Sequence, residues 1–108
     1  METPVQIVFQ EVAHSQAIES LIREKAGKLE SIFPRLIRCH VSIGQPHRHH
    51  HEGKLFNVRI APHVPGGQLV VNRDQHEDVG VAVRDAFDAA RGQFEEHARK
   101  VRRANRTG

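Results

Sequence analysis

Three stretches of the chain alternate apolar and polar residues, which is the pattern of a β-strand with one face on a core and the other in water. They are residues 5–9, 37–43 and 56–60. The apolar residues Leu69 to Val71 predict a fourth, short strand. Pro65-Gly66-Gly67 lies between the last two stretches, and its glycines permit the positive φ of a hairpin turn. We therefore expect the third and fourth strands to pair antiparallel.

Two other stretches repeat apolar residues at helical spacing. The first begins after Ser15, a predicted N-cap, and ends at Pro34. The second follows the fourth strand, where Asp74, Glu77 and Asp78 are candidate caps. The apolar positions of the two helices are Ile18, Leu21, Ile22, Leu29 and Phe33 in the first, and Val79, Val83, Ala86, Phe87, Ala90, Phe94, His97 and Val101 in the second.

The resulting order is β-α-β-β-β-α. Because every strand has one wet face, both helices must cover the other face, so we predict an α+β fold, a two-layer sandwich of two helices on a four-stranded mixed sheet. A right-handed crossover through the first helix makes the first two strands parallel. At 108 residues the chain is long enough for one core and too short for two. We predict one domain over residues 1–108, with residues 102–108 as a frayed basic tail.

The charge of the chain is concentrated at its end. The last ten residues hold five bases and no acid, whereas residues 1–98 hold 11 bases and 13 acids, and the net charge is +3. A local cationic surface of this kind typically meets nucleic acid or an anionic membrane. The sequence has neither an apolar run long enough to cross a bilayer nor the start of a signal peptide, so we expect a cytoplasmic protein without a membrane partner.

Cations also lie at the edges of the predicted helices. Lys25 falls within the apolar stripe of the first helix and Lys28 at its margin, and a lysine in such a place extends its ammonium outwards while its methylenes cover the core. Two parallel helices on one sheet face form a groove, with this pair on one wall and Lys100 and Arg102 towards the end of the other. When cations on both walls neutralise the phosphates of a nucleic acid, the counterions condensed on it are released, and no base-specific contact is needed. The chain has no Trp or Tyr, so we expect recognition of shape and backbone.

The segment Lys25-Ala26-Gly27-Lys28-Leu29-Glu30-Ser31-Ile32-Phe33, the order of elements, and residues 85–94 together resemble the hibernation-promoting factor and ribosome-associated inhibitor family, also called sigma-54 modulation proteins. The resemblance covers nearly the whole chain. It implies a non-enzymatic protein that binds the small ribosomal subunit and its RNA in the path of messenger and transfer RNA, silencing idle ribosomes, with no cofactor and no small-molecule substrate. The chain ends before the extra domain with which longer relatives pair ribosomes, so it resembles the short form.

The resemblance carries over to Lys25, Lys28, Lys100 and Arg102, which match basic family positions. With neighbouring cations, the predicted RNA-binding residues are Arg23, Lys25, Lys28, Arg91, Arg99, Lys100, Arg102 and Arg103. The chain departs from the family in the middle of the last helix, where members often place cations and this sequence has Ala89, Gly92, Glu96 and Ala98. Glu95 and Glu96 are expected to repel phosphate and to weaken the affinity for ribosomal RNA.

A histidine-rich segment between the second and third strands supports a different hypothesis. Neutral imidazole binds zinc, copper or nickel, which makes a metal-binding or metal-responsive protein the alternative function. The candidate ligands are His47, His49, His50 and His51. A structural zinc site takes four ligands from separated elements, and no cysteine pair or HExxH motif supplies the remainder. A solvated hairpin tip is the simpler interpretation, and Arg48 and Lys54 at that tip offer contacts to RNA.

A third hypothesis is a protein-interaction module that uses the wet face of the sheet. Val8, Leu55 and Val70 are predicted there and would form a small apolar patch able to support a weak homodimer. The sequence contains no serine elbow, glycine-rich phosphate loop or pair of catalytic carboxylates, so no enzyme is predicted. Cys39, the single cysteine, lies in an alternating apolar stretch and is predicted to be a buried, inert thiol.

Overall fold

The computed structural model describes residues 4–45 and 55–107, with side chains up to residue 104. The elements are β1 (Gln6–Gln10), α1 (Gln16–Ile32), β2 (Arg38–Gly44), β3 (Phe56–Val64), β4 (Gly67–Gln68), β5 (Val71–His76) and α2 (Val79–Thr107). Both helices pack on one face of a mixed sheet, so the predicted two-layer α+β fold is confirmed. β1 pairs parallel with β2, as predicted.

The sheet has five strands in its described part, where the sequence predicted four. β3 pairs antiparallel with β2 on one side and with both β4 and β5 on the other. β4 and β5 share one register along β3, with His63 opposite Gln68 and Ile60 opposite Val71. Between these pairs the Leu69 amide donates to the Pro62 carbonyl at 3.0 Å, but proline has no N–H to return a bond. The predicted fourth strand is therefore interrupted by Pro62, and it is longer than predicted at both ends.

A two-residue turn joins β3 to β4. Val64 pairs with Gly67, which leaves Pro65 and Gly66 at the corner. Gly66 has a φ of 89°, the conformation that the third residue of a type II turn requires and that glycine adopts without a steric penalty. The predicted antiparallel hairpin is therefore confirmed.

The core lies between the inner face of the sheet and the two helices. β2 alternates strictly, with Cys39, Val41 and Ile43 buried and their neighbours more exposed. α1 buries Ile22, Ala26 and Leu29 against this face. The buried positions of α2 are Ala82, Val83, Ala86, Phe87, Ala90 and Phe94, which recur at helical spacing.

Side-chain caps set the starts of both helices. The Ser15 Oγ accepts a hydrogen bond from the Ile18 amide at 3.3 Å, and the Asp78 Oδ1 accepts one from the Val81 amide at 3.1 Å. Ser15 and Asp78 are thus confirmed as caps. Of the two other candidate caps, Asp74 lies within β5 and Glu77 lies between β5 and Asp78.

The two helices run in the same direction. α1 returns the chain between two parallel strands, and α2 follows β5, which runs parallel to them. Phe33, at the end of α1, stacks on Phe94 with ring centroids 4.8 Å apart. α2 continues beyond this point to Thr107, so residues 102–107 are helical where the sequence predicted a frayed end. Ala and Arg are strong helix formers, and no glycine or proline interrupts this segment.

Candidate nucleic-acid interface

One flank of α1 carries the lysine pair and faces α2. Leu21, Lys25, Lys28 and Ile32 are spaced so that they lie along one side of a helix. Ile32 lines a groove whose opposite wall includes Ala98 of α2. The flank of α1 that holds Lys25 and Lys28 is therefore the flank directed towards the second helix.

α2 presents a matching row of arginines. Arg84, Arg91, Ala98 and Arg102 recur at intervals of seven and four residues, which places them on one side of a helix. Ala98 and Arg102 line the groove at the end of α1, so this side faces α1. We call the cations Lys25, Lys28, Arg84, Arg91 and Arg102 the inter-helix row.

The cations of the two walls lie at overlapping heights. Because the helices are parallel and each rises 1.5 Å per residue, the Phe33–Phe94 stack aligns Lys25 and Lys28 with positions about 86 and about 89 of α2. This interval lies between Arg84 and Arg91. Both lysines of α1 thus lie, in height, between Arg84 and Arg91 of α2.

Three of the predicted residues lie away from the inter-helix row. Arg23 precedes Lys25 by two positions and Lys100 precedes Arg102 by two, and two positions correspond to a rotation of about 200° around a helix. Arg103 also points away from α1, about 100° from Arg102. The predicted placement of Lys100 on the groove wall is therefore wrong. Arg99 is exposed on the outer side of α2, next to the row.

Half of the eight predicted cations are held by carboxylates one turn away on the same helix. The ion pairs are Arg23 with Glu19 at 2.8 Å, Lys28 with Glu24 at 3.2 Å, Arg91 with Glu95 at 3.2 Å, and Lys100 with Glu96 at 3.6 Å. Lys25, Arg99 and Arg102 form no ion pair with any residue of the described chain, and Lys25 is half buried.

The two acids expected to repel phosphate are the partners of two of these cations. The Glu95 carboxylate accepts from the Arg91 Nε, and Glu96 lies beside the Lys100 Nζ. The Lys28, Arg91 and Lys100 pairs have both side chains more than half exposed, and such pairs contribute about 0.3–0.5 kcal/mol each. A phosphate can therefore displace either glutamate from its cation at small cost.

The sequence analysis did not single out two further cations, one in the inter-helix row and one in the groove at the end of α1. Arg84 is an exposed residue of α2, and Arg35 follows α1 and lines the groove with Arg102. Neither has an ion pair within the part of the chain that the structure describes. The spacing of Arg84 to Arg91 and Arg102 was a usable signal, but the flank of α2 that meets α1 must be known before that spacing has meaning.

Two carboxylates at the start of the helices are each bound by a histidine and an arginine. Asp85 contacts the His76 Nε2 at 2.8 Å and the Arg73 Nε at 3.4 Å, and the hydrogen bond from His76, more than any other effect, lowers the Asp85 pKa. Glu19 contacts Arg23 and His14, and hydrogen bonds from these two residues lower its pKa. These clusters attach α2 to β5 and the start of α1 to the segment before it.

The metal-binding hypothesis depends on histidines that lie outside the described residues, so it stays a prediction. Across residues 4–45 and 55–107, no group of three or more His, Cys, Asp or Glu side chains is placed to hold a metal ion. The candidate ligands His47, His49, His50 and His51 lie outside the described residues, as do Arg48 and Lys54.

The remaining candidate groups lie apart from the groove or have no chemical role there. Cys39 is buried, and burial raises the pKa of its thiol to about 12, so it stays protonated at neutral pH. Val8, Leu55 and Val70 are exposed as expected. Val8 lies on β1 and Val70 on the far side of β3, however, so β2 and β3 both lie between them. The weak homodimer stays a prediction.

A protein family matches nearly the whole chain. The family described as Sigma 54 modulation protein / S30EA ribosomal protein matches residues 5–102. The chain belongs to this family. Family members are ribosome hibernation and interface factors and not enzymes, so the resemblance and the predicted lack of enzymatic activity are both confirmed.

Solved structures of low sequence identity share the fold. A ribosomal subunit interface protein from Coxiella burnetii is 15% identical with a TM-score of 0.75, covering 87% of this chain and 96% of that one. The N-terminal domain of Protein Y from Thermus thermophilus is 18% identical with a TM-score of 0.71, covering 85% and 94%. A comparison with curated proteins gave no match. Within the described residues, neither helix is long and apolar enough to span a bilayer.

Proposed function

We propose that this protein is a cytoplasmic ribosome hibernation factor that binds RNA of the small ribosomal subunit across the groove between α1 and α2. The observation that carries this proposal is the inter-helix row, in which Lys25 and Lys28 of one helix face arginines of the other. Family membership supplies the ribosome as the partner. The printed name of the Coxiella burnetii protein, a ribosomal subunit interface protein, supports the same class of partner.

Phosphates are the groups that this surface suits best. Lysine and arginine side chains neutralise phosphates without reading a base, and each contact releases condensed counterions. Lys25 and Arg102 have no competing carboxylate among the described residues, and Glu24 and Glu95 are exposed and weakly held. The resulting interaction depends on the spacing of the backbone, so it suits folded ribosomal RNA.

In this mechanism the protein inhibits translation by occupying a site on the small subunit, without catalysing a reaction. A protein lodged on the small subunit excludes messenger and transfer RNA from the volume that it fills, and translation stays off while it remains bound. Release then follows any change that weakens the phosphate contacts, such as higher ionic strength or competition by another RNA ligand.

The test is co-sedimentation with vacant small ribosomal subunits after charge reversal. Lys25→Glu combined with Lys28→Glu removes the α1 wall of the row and is expected to weaken binding by at least about 100-fold, because two phosphate contacts become two repulsions. Circular dichroism and thermal unfolding show whether the variant stays folded.

The matched control is Arg38→Glu combined with Arg59→Glu. Both arginines are exposed on strands of the opposite sheet face, neither has an ion pair in the described chain, and the change in net charge is the same. The control is expected to bind within a few-fold of the unmodified protein. Equal loss in the two folded variants would refute the helix surface as the binding site.

A further inference from the structure

A groove lies at the end of α1, below the part of α2 that extends past the sheet. The chain after α1, the turn between β3 and β4, and the last third of α2 form its walls, and its volume is about 600 Å³. This volume is within the range of small-ligand sites. Its floor includes the stacked rings of Phe33 and Phe94.

The walls expose apolar side chains that no described part of the chain covers. Ile32 is 44% exposed and Val101 is 39% exposed, and both line the groove. Pro34 and Pro65 add two further apolar rings. Exposed apolar residues that converge on a concave surface are typical of a binding site, whereas single ones on a flat surface are not.

The charge of the lining points to an anionic ligand. Arg35 and Arg102 lie at the groove, neither has an ion pair with a described residue, and His97 is the other titratable group of the lining. None of the described residues that line the groove carries a carboxylate. A matching ligand therefore combines a flat apolar part with negative charge beside it.

We propose that this groove holds an unstacked base of single-stranded RNA, with the flanking phosphates on Arg35 and Arg102. This inference rests on the proposed function, because Arg102 belongs to the inter-helix row and an RNA chain across that row leads into the groove. The flat ring of Phe33 and the apolar rings of Pro34 and Pro65 suit a planar base. With few hydrogen-bonding groups in the lining, the site accepts different bases.

Apolar-to-polar substitutions on the groove walls test the inference. The probe is a short single-stranded oligouridine RNA with one 2-aminopurine, whose fluorescence reports its stacking. Val101→Asn is expected to weaken binding about 5-fold or more and to remove the fluorescence change, since stacking of one base contributes about 5-fold to 150-fold in affinity. Ile32→Asn on the opposite wall is expected to act alike.

The matched control is Val81→Asn. Val81 is 42% exposed on the same helix, outside the groove, so its substitution makes the same chemical change and is expected to leave the affinity unchanged. An RNA with an abasic nucleotide in place of 2-aminopurine completes a double-mutant cycle. The unmodified protein should bind it about 5-fold more weakly, whereas Val101→Asn should bind both RNAs equally.

Several results would overturn the inference. One is equal affinity of Val101→Asn and Val81→Asn for the RNA, and another is equal affinity of the unmodified protein for the intact and abasic RNAs. A third is that a short peptide of alternating Leu and Asp binds to the unmodified protein, and that Val101→Asn abolishes peptide binding but leaves RNA binding unaffected. The groove would then be a binding site for a protein. In each case, loss of subunit binding by Lys25→Glu/Lys28→Glu would leave the proposed function standing.

Discussion

Lys25 shows how a single side chain serves both the core and the surface. It lies among apolar neighbours of α1, is half buried, and has no ion-pair partner in the described chain, whereas Lys28 one turn later is paired with Glu24. The methylenes of such a lysine cover the edge of the core, and the ammonium extends to solvent. This position was predictable from sequence, because a cation within an apolar stripe must extend outwards.

Asp85 connects α2 to β5 through His76 and Arg73, and its lowered pKa makes that connection sensitive to acid. A carboxyl group whose pKa is lowered by folding stabilises the protein above its ordinary pKa, and this contribution is lost as the pH falls through the lowered value. Asp85→Asn should therefore reduce the free energy of unfolding near neutral pH by at most about 1 kcal/mol, since the pair is partly exposed.

Urea unfolding over a series of pH values measures this effect. The difference between the unmodified protein and Asp85→Asn should vanish at pH values below the lowered pKa of Asp85. Asp88→Asn is the control, because Asp88 is exposed on the same helix without an ion pair in the described chain. A difference of equal size at acid and neutral pH would argue against the ionised Asp85 as its source.

At the scale of elements, the helices and the first three strands follow from periodicity and caps, and the last strand does not. Its interruption arises at Pro62, a residue on a neighbouring strand, and only the pairing of strands brings Pro62 opposite Leu69. For the same reason, the sequence does not show which flank of each helix faces the other helix. The sequence therefore singles out Lys25 and Lys28, whose positions in and at the margin of the apolar stripe are visible from spacing, but not Arg84 and Arg35.

Substitution of two glycines that lie in open space is expected to change the free energy of unfolding in opposite directions. A Cβ at Gly92 of α2 or at Gly66 of the turn would meet no atom within 4 Å, but only Gly66 has a positive φ. Gly92→Ala should raise the free energy of unfolding by about 0.5–1 kcal/mol through helix propensity. Gly66→Ala should lower it by about 1 kcal/mol because of the backbone strain.

Thermal or urea unfolding distinguishes the two cases. Gly67→Ala is the control for the turn, since Gly67 also lies in open space and has no positive φ, and we expect a smaller effect there. Stabilisation by Gly66→Ala, or destabilisation by Gly92→Ala, would be inconsistent with the backbone described for that element.

At the scale of the whole molecule, the fold separates its surfaces. The parallel crossover through α1 and the return through α2 bring cations of distant sequence positions to one side of the protein, while the sheet faces the other way. The sequence alone predicted this layering, because each strand has one wet face. It could not show that Lys100 and Arg103 point away from the groove, which depends on how α2 rotates about its axis.

The most direct test of the central claim is the dissociation constant for vacant small ribosomal subunits measured from about 50 mM to about 200 mM salt. With about five phosphates neutralised, the logarithm of the association constant should fall against the logarithm of salt with a slope of roughly −4 to −5. Lys25→Met should make that slope shallower by about 0.9. Tight binding with a slope near zero, unchanged in Lys25→Met, would contradict a phosphate-binding helix surface.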